Sequence, residues 1–282
     1  MGLGPVINDV DVAPSSIRSG ARQLLDSFIT VLPIFALLVV WEILARLGGL
    51  DSRLLPPPSR IISTGIALLG LGTGQSGDVL LPFLLVSVSR IAIGFALGAL
   101  AGMTVGMLIG TVKTLQWFSR PLISMIMPVP MLAWTPIFLL ALGRGDRTVI
   151  AVIMADTLFP VLYHTVAGIR GISRPHVWAV KSMGGSMWDV IRLAWFPGML
   201  PQVMTGLRLA VGLAWRALVV AEMLGADSGV GYMIFAARQH MATAQMFLGI
   251  AIIGMGGYLS ERILLGTLER RTVERWGLVR QA

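Results

Sequence analysis

The chain has 282 residues, of which 55% are hydrophobic and only 13% are charged, and its mean hydropathy is +0.81. So few polar residues cannot coat a soluble globule of this length, and the apolar residues occur in long blocks, as they do in membrane proteins. The net charge of +8 is spread between and beside these blocks instead of forming one basic face, which argues against nucleic-acid binding. The chain has no cysteine, so disulfides and thiolate chemistry are excluded.

Six apolar blocks are each long enough to cross about 30 Å of hydrocarbon as a helix. The sequence therefore predicts an all-α membrane protein with six transmembrane helices, at residues 28–44, 84–109, 122–142, 149–169, 203–224 and 246–265. With a cytoplasmic N-terminus, thirteen Lys and Arg residues flank the spans on the cytoplasmic side and six on the other, and three lie within spans. The positive-inside rule therefore predicts that both termini are cytoplasmic.

Glycines recur every four residues along the second predicted span, at Gly94, Gly98, Gly102, Gly106 and Gly110. At helical pitch they form one stripe, along which a neighbouring helix can approach closely. That neighbour is either another helix of the same chain or a second subunit.

The third predicted span contains three prolines, Pro128, Pro130 and Pro136. Because proline removes a backbone donor, we expect this span to be kinked or partly unwound. Irregular backbone at membrane depth is tolerated where protein shields it or where it lines a cavity. Met127, Met131 and Trp134 are therefore candidates for the wall of a transport path, with ordinary core packing as the alternative.

Five ionisable residues within the spans are further candidates for such a path: Arg90, Asp156, Arg208, Arg216 and Glu222. Charges at membrane depth are expensive and face protein or water. Arg208, Arg216 and Glu222 share one broad face of the fifth span at 100° per residue. These charges form either a polar cavity or structural ion pairs, and snorkelling from a helix end is a third interpretation for Arg90 and Arg208.

The chain carries no motif for catalysis, nucleotide binding or metal binding. One enzymatic alternative is an intramembrane serine protease. The nucleophile arrangement of the six-span members of that class resembles Gly184-Gly185-Ser186 together with His164. Ser186, however, falls in a polar loop between spans, whereas those enzymes need both groups inside the bilayer. We therefore expect a non-catalytic chain without a cofactor or metal of its own.

The loop of residues 170–200 carries a family resemblance. His176-Val-Trp-Ala-Val-Lys-Ser-Met-Gly184, followed thirteen residues later by Pro197, resembles the E-A-A-x-x-x-G…L-P loop of ATP-binding-cassette (ABC) importer permeases. Ala179, Gly184 and Pro197 match this motif, whereas Trp178 and Val180 depart from its Glu and Ala. The resemblance to the sulfonate/taurine/nitrate group of these permeases extends to Leu55-Pro-Pro-Pro-Ser59, Arg120-Pro121, Pro128-Val-Pro130, Gly206-Leu-Arg208, Val219-Val-Ala-Glu222-Met-Leu-Gly225 and Gly229-Val-Gly231-Tyr232.

The resemblance implies the type I ABC importer transmembrane-domain fold, with a cytoplasmic coupling helix between helices 4 and 5. It also implies an assembly with a second permease copy, two copies of an ABC ATPase subunit that bind ATP and Mg²⁺, and a periplasmic or lipid-anchored substrate-binding protein. Trp178, Val177 and Met183 are expected to form a knob that docks into the ATPase. The full set of expected coupling residues is Arg174, Val177, Trp178, Ala179, Lys181, Met183, Gly184, Gly185 and Pro197.

The predicted function is a permease subunit in the cell inner membrane that forms the translocation path for a small anion such as a sulfonate, taurine or nitrate. Its predicted parts are a cytoplasmic segment at 1–24, a transmembrane permease domain at 25–268 and a cytoplasmic tail at 269–282. The alternative is a self-sufficient secondary transporter or channel. That alternative calls for an inverted repeat or an ion site, neither of which is detected, and it leaves the 170–200 loop unexplained.

Overall fold

A computed structural model describes residues 32–33, 35–47, 54–70 and 80–269, and all secondary structure in these ranges is helical. The α-helices are α1 (35–46), α2 (Pro58–Leu68), α3 (Leu80–Thr111), α4 (Lys113–Ile126), α5 (Thr135–Leu142), α6 (Asp146–Gly171), α7 (Arg174–Ser182), α8 (Met187–Val190), α9 (Phe196–Gly225), α10 (Val230–Gln239), α11 (Thr243–Leu259) and α12 (Gly266–Glu269). Two π-helical segments, Ile191–Trp195 and Ser260–Leu265, join α8 to α9 and α11 to α12.

The described residues fall into two compact units, one ending at Arg60 and the other beginning at Ile61. In the first unit, Glu42 on α1 accepts hydrogen bonds from Arg46 Nε at 2.5 Å and from Ser59 Oγ at 2.7 Å. The predicted cytoplasmic segment 1–24 and all but the first residue of the predicted tail 269–282 lie outside the described residues, so both stay predictions.

Four helices among the described residues are long and apolar enough to cross a membrane: Leu80–Thr111, Asp146–Gly171, Met187–Gly225 and Thr243–Ile263. They coincide with the second, fourth, fifth and sixth predicted spans. The first predicted span, 28–44, overlaps α1 but also includes residues outside the described ranges. The count of six spans therefore stays a prediction.

The third predicted span is interrupted in the structure. Helix α4 ends at Ile126, and a short 3₁₀ segment, Met131–Trp134, precedes α5. The expected break in the helix is confirmed, and it occurs where Pro128 and Pro130 remove backbone donors. The structure also begins α4 at Lys113, nine residues before the predicted span, because the polar residues that depress its hydropathy still fit an amphipathic helix.

The core of the second unit is formed by α3, α6 and α9, with α6 packed against both of the others. The buried side chains at its centre are small or β-branched, including Val149, Val152, Ile153, Ala210 and Ala217. The glycine stripe of α3 faces α6 so closely that a Cβ on Gly98 would lie 2.5 Å from the carbonyl oxygen of Met154. Of the two interpretations of this stripe, the structure therefore supports packing within the chain.

Candidate functional site

The structure brings two of the predicted intramembrane charges together in the core. Arg90 Nη1 on α3 donates a hydrogen bond of 2.8 Å to Glu222 Oε1 on α9, and the two side chains are 4% and 0% exposed. The same guanidinium donates from Nη2 to Asp146 Oδ1 at 2.6 Å, at the start of α6. The ion pair therefore links the three helices of the core.

Neighbouring groups satisfy the remaining hydrogen-bonding capacity of this pair. Arg90 Nη1 also donates to the carbonyl oxygen of Ser228 at 2.7 Å. Glu222 accepts hydrogen bonds of 2.8 Å from Ser87 Oγ and from the backbone N–H of Gly231. A buried charge is tolerated only when it is paired and hydrogen-bonded in this way, so Arg90 and Glu222 form a structural ion pair.

Gly229 is required where the loop after α9 passes this carboxylate. Its φ of +108° lies in a region that other residues avoid, and a Cβ added there would overlap the carboxylate of Glu222. A Cβ on Gly231 would likewise lie 2.6 Å from the carbonyl oxygen of Val219. The Gly229-Val-Gly231 segment, noted in the sequence as part of the resemblance, thus leaves room for the buried carboxylate of Glu222 and its hydrogen-bond partners. Ser87, which completes it, carried no signal in the sequence.

The other charges of α9 do not join this pair, contrary to the broad face expected from the sequence. Arg216 is exposed, and its Nε donates to the carbonyl oxygen of Gly212 at 3.1 Å. Arg208 is also exposed, with its Nε 3.8 Å from Glu261 Oε1. At 100° per residue, Arg208 and Glu222 point about 40° apart around the axis of α9. This difference is enough to place Arg208 on the surface and Glu222 in the core.

Arg216 belongs instead to a polar face that α6 and α9 expose side by side. On α9, Gln202, Thr205 and Arg216 recur at helical spacing on the exposed side. On α6, the matching residues are Asp156, which is half-buried and within electrostatic range of Arg216, and the exposed Tyr163. His164 Nδ1 lies 3.5 Å from Gln202 Oε1, which joins the two helices at the other end of this face. The sequence did not predict that this face includes Tyr163, His164, Gln202 and Thr205, because only charged residues stand out in an apolar block.

The exposed surfaces of other spans are apolar by contrast. The exposed large side chains of α3 and α11 include Leu81, Leu85, Val88, Ile93, Leu97, Leu100, Leu108, Ile250 and Met255. Such side chains suit hydrocarbon, whereas an exposed arginine beside a carboxylate does not. The polar face of α6 and α9 therefore requires protein or water against it.

The interrupted third span supplies the remaining candidates for the path. Met127 is exposed where α4 ends, and Trp134 is half-buried with its indole Nε1 buried and without a hydrogen-bond partner among the described residues. Met131 lies at the start of the 3₁₀ segment, and its side chain is outside the described part of the structure. The 3₁₀ segment packs against α6 and α9, the helices that carry Asp156 and Arg216, but no hydrogen bond among the described residues joins the side chain of Trp134 to either charge.

The 170–200 loop folds into α7, α8 and the first residues of α9. Helix α7 ends at a glycine pair, where Gly184 adopts φ +79° and the N–H of Gly185 donates to the carbonyl oxygen of Val180 at 3.0 Å. Ser186 then caps α8 by accepting from the backbone N–H of Asp189, whose carboxylate accepts from the N–H of Ser186. Two well-defined helix ends therefore fix the turn between α7 and α8.

This turn presents an exposed apolar surface, formed by Trp178, Met183, Met187 and Trp188. Trp178 is 63% exposed, and Arg174, Ala179 and Lys181 are exposed beside it. We call the side chains of Trp178, Met183, Met187 and Trp188 together the α7 knob. Met187 and Trp188 were not predicted, because they follow the glycine pair and lie outside the recognised motif.

Two of the expected coupling residues, Val177 and Pro197, lie on the inner side of the loop. Val177 packs against the buried cluster of Val180, Val190 and Ala194, so it supports the knob and is not part of its outer surface. Pro197 is buried in the first turn of α9. The helical periodicity of α7 explains the difference for Val177, because Val177 and Val180 lie three residues apart on one face while Trp178 faces outward.

Comparisons with known proteins identify the family to which this fold belongs. A family model described as "Binding-protein-dependent transport system inner membrane component" matches residues 94–274. The chain therefore belongs to this family of inner-membrane permease components of ABC transporters.

Several curated relatives cover most of the chain. It is 35% identical over 238 residues to SsuC of Bacillus subtilis, described as an aliphatic sulfonates transport permease, with 84% of each chain covered. It is 32% identical to the taurine transport system permease TauC of Escherichia coli over 83% of this chain and 85% of TauC. It is 33% identical to the nitrate import permease NrtB of Synechococcus elongatus over 89% of this chain and 93% of NrtB. A solved amino acid ABC transporter has the same fold, with a TM-score of 0.52 and 16% identity over 67% of this chain and 92% of that chain.

Proposed function

We propose that this chain forms half of the translocation path of an ATP-driven importer for a small oxyanion. The observation that carries the proposal is the polar face of α6 and α9, where Tyr163 and Arg216 are exposed and Asp156 is half-buried on helices long enough to span a membrane. At membrane depth such a face is stable only against water or another protein surface. A water-filled path between two copies satisfies both conditions.

A second copy of the chain is the partner that we propose across this face. Two-fold symmetry is the commonest symmetry for identical subunits. Two copies related in this way would place both polar faces around the two-fold axis. In this arrangement each copy contributes six spans, with α1 as the first and α4–α5 as the interrupted third, and both termini are cytoplasmic.

The α7 knob is the proposed contact with the ATPase. Exposed tryptophan and methionine side chains fill pockets on a partner well, and Arg174 and Lys181 supply charge at the rim. On the inner face of α7, Val180 packs against Val190 of α8. Helices α8 and α9 belong to one continuous helical run, Met187–Gly225, so a force on the knob is transmitted to α9. Two ATPase copies would bind ATP and Mg²⁺. This chain would alternate between two conformations, and the ATP-bound ATPase would stabilise one of them more than the other.

The proposed substrate is a small oxyanion delivered by a periplasmic or lipid-anchored binding protein. The relatives are named for sulfonates, taurine, nitrate and, in Synechocystis, bicarbonate, which share a compact anionic group of oxygens. The Arg216 guanidinium offers planar paired donors to such a group. Asp156 beside it limits the net positive charge, so that an anion is attracted without being held tightly.

The test is uptake into proteoliposomes that contain the chain, its ATPase and its binding protein, with labelled taurine and ethanesulfonate as probes. Arg216→Gln is expected to lower ATP-dependent uptake about tenfold or more, because one charge-assisted hydrogen bond is lost. Arg238→Gln, which removes an exposed arginine at the end of α10, is the matched control and should leave uptake unchanged. Uptake by the chain without ATPase would replace this proposal with the secondary transporter.

A further inference from the structure

Two adjoining cavities lie between the middle of α4 and the last third of α6, on the side of the fold that leads to α7. The first has a volume of about 290 Å³ and the second of about 360 Å³. Gln116, Arg120 and Arg170 line both cavities. The first also contains Tyr163, and the second contains Trp117.

The charge of these cavities is unbalanced. Arg120 and Arg170 bring two guanidinium groups to the same space, and within the described part of the chain neither forms an ion pair with a carboxylate. Each guanidinium has five N–H donors and no acceptor, so the cavities are rich in donors. Both side chains are exposed, so water and salt weaken the repulsion between their charges, and an anion bound between them would remove it.

A second, independent observation comes from Gln116. Its side-chain Nε2 is buried and has no hydrogen-bond partner among the described residues. A buried amide N–H₂ without an acceptor is unfavourable by roughly 1–3 kcal/mol, so such a group is uncommon without a function. Gln116 lines both cavities with the two arginines, so a rotation of its amide would turn Nε2 toward an acceptor placed there, which would then bind all three side chains.

We infer that these cavities bind an oxyanion, a phosphate or sulfonate group, between Arg120, Arg170 and Gln116. Three or four oxygens around one phosphorus or sulfur atom match donors that converge from three side chains. The hydroxyls of Ser124 and Tyr163, which line the first cavity, are available as further donors.

Two sources can supply this group, and the cavity fits both. One is the headgroup of an anionic lipid, since basic pockets between helices near a membrane surface bind such headgroups. Trp117 and Phe118, both strongly exposed on α4, are side chains typical of that interface. The other is an oxyanion leaving the path, since Tyr163 belongs both to the polar face and to the first cavity. The site itself is argued from the cavities alone, and only this second source rests on the proposed function.

The experiment measures thermal unfolding of the purified full chain in a neutral detergent after lipid removal. Dioctanoyl-phosphatidylglycerol is titrated against dioctanoyl-phosphatidylcholine, and ethanesulfonate against chloride at equal ionic strength. We expect at least one of the two anions to raise the unfolding temperature, and its apparent Kd to weaken about tenfold or more in Arg120→Gln/Arg170→Gln. Arg192→Gln, an exposed arginine outside the cavities, is the control and should bind as the unmodified chain does.

Gln116→Leu provides a second readout that a merely structural residue would not give. Removing the unpartnered amide is expected to raise the unfolding temperature without ligand and to weaken anion binding severalfold. Loss of phosphatidylglycerol binding in the variants identifies the lipid as the source, and loss of ethanesulfonate binding identifies the transported class. The inference is overturned if neither anion stabilises the unmodified chain, or if the variants bind as well as it does. Uptake that persists after such a result leaves the proposed function standing.

Discussion

Arg90 on α3 and Glu222 on α9 are 132 positions apart in the chain, yet their side chains meet at 2.8 Å in the core. Asp146 at the start of α6 and the backbone N–H of Gly231 on α10 bind to the same pair. One buried ion pair therefore sets the relative positions of four helices. Loss of this ion pair should therefore destabilise the whole core.

Breaking this pair should destabilise the protein strongly. Arg90→Met leaves the carboxylate of Glu222 buried without a charged partner, and we expect it to cost about 3–5 kcal/mol. Glu222→Met should cost less, because Arg90 keeps its ion pair with Asp146. The double variant removes both charges and should cost much less than the sum of the two. Thermal unfolding in detergent measures all three variants, with Ser89→Ala on the exposed side of α3 as the control. Additive losses would contradict the pairing.

Gly229→Ala should cost more than a change of backbone conformation alone. Gly229 and Gly145 have similar φ values of +108° and +116°, but a Cβ on Gly145 meets nothing within 4 Å. Both variants carry the strain of about 1–3 kcal/mol that this region imposes on other residues. Only Gly229→Ala also displaces the carboxylate of Glu222. The difference between the two unfolding temperatures measures the overlap, and equal losses would contradict it.

Gly98→Ala and Gly254→Ala should change stability in opposite directions. A Cβ on Gly98 would lie 2.7 Å from Thr157 Cβ, so α3 and α6 must separate, at about 1–3 kcal/mol. Gly254 on α11 has nothing within 4 Å of an added Cβ, and alanine there should gain about 0.5–1 kcal/mol from its higher helix propensity. Unfolding temperatures and the monodisperse fraction after detergent extraction report both effects. An unchanged Gly98→Ala would show that α3 and α6 pack less closely.

Trp178→Ala should weaken the coupling to the ATPase while leaving the fold intact, because its side chain is mostly exposed. We expect the amount of co-purified ATPase to fall about tenfold, as for a central residue of an interface. Gly184→Asp should have the same effect, since it places a negative charge on a turn with φ +79°. Phe118→Ala, an exposed aromatic residue on α4, should bind ATPase normally. Full ATPase stimulation by the Trp178 variant would contradict the docking role of the α7 knob.

Four of the spans, the break in the third and the presence of a helix in the 170–200 loop could be predicted because their signals are local. A block of apolar residues determines its own membrane insertion, and Pro128 and Pro130 break a helix wherever it packs. The motif gives the presence of α7 but not which side of it meets Val190, so the packing of Val177 against that side was not predicted. The α7 knob extends to Met187 and Trp188 for the same reason: the turn at the glycine pair brings them beside Trp178.

The sequence by itself determined that this is a membrane protein of a permease family, where its apolar helices run, and that its third span is broken. These properties depend on composition and on neighbours along the chain. Only the tertiary structure decided which charge meets which: Arg90 pairs with Glu222, while Arg208 and Arg216 remain on the surface. A charge in an apolar helix is costly wherever it lies, so the sequence reveals its presence, but its partner depends on which faces of α3, α6 and α9 pack together.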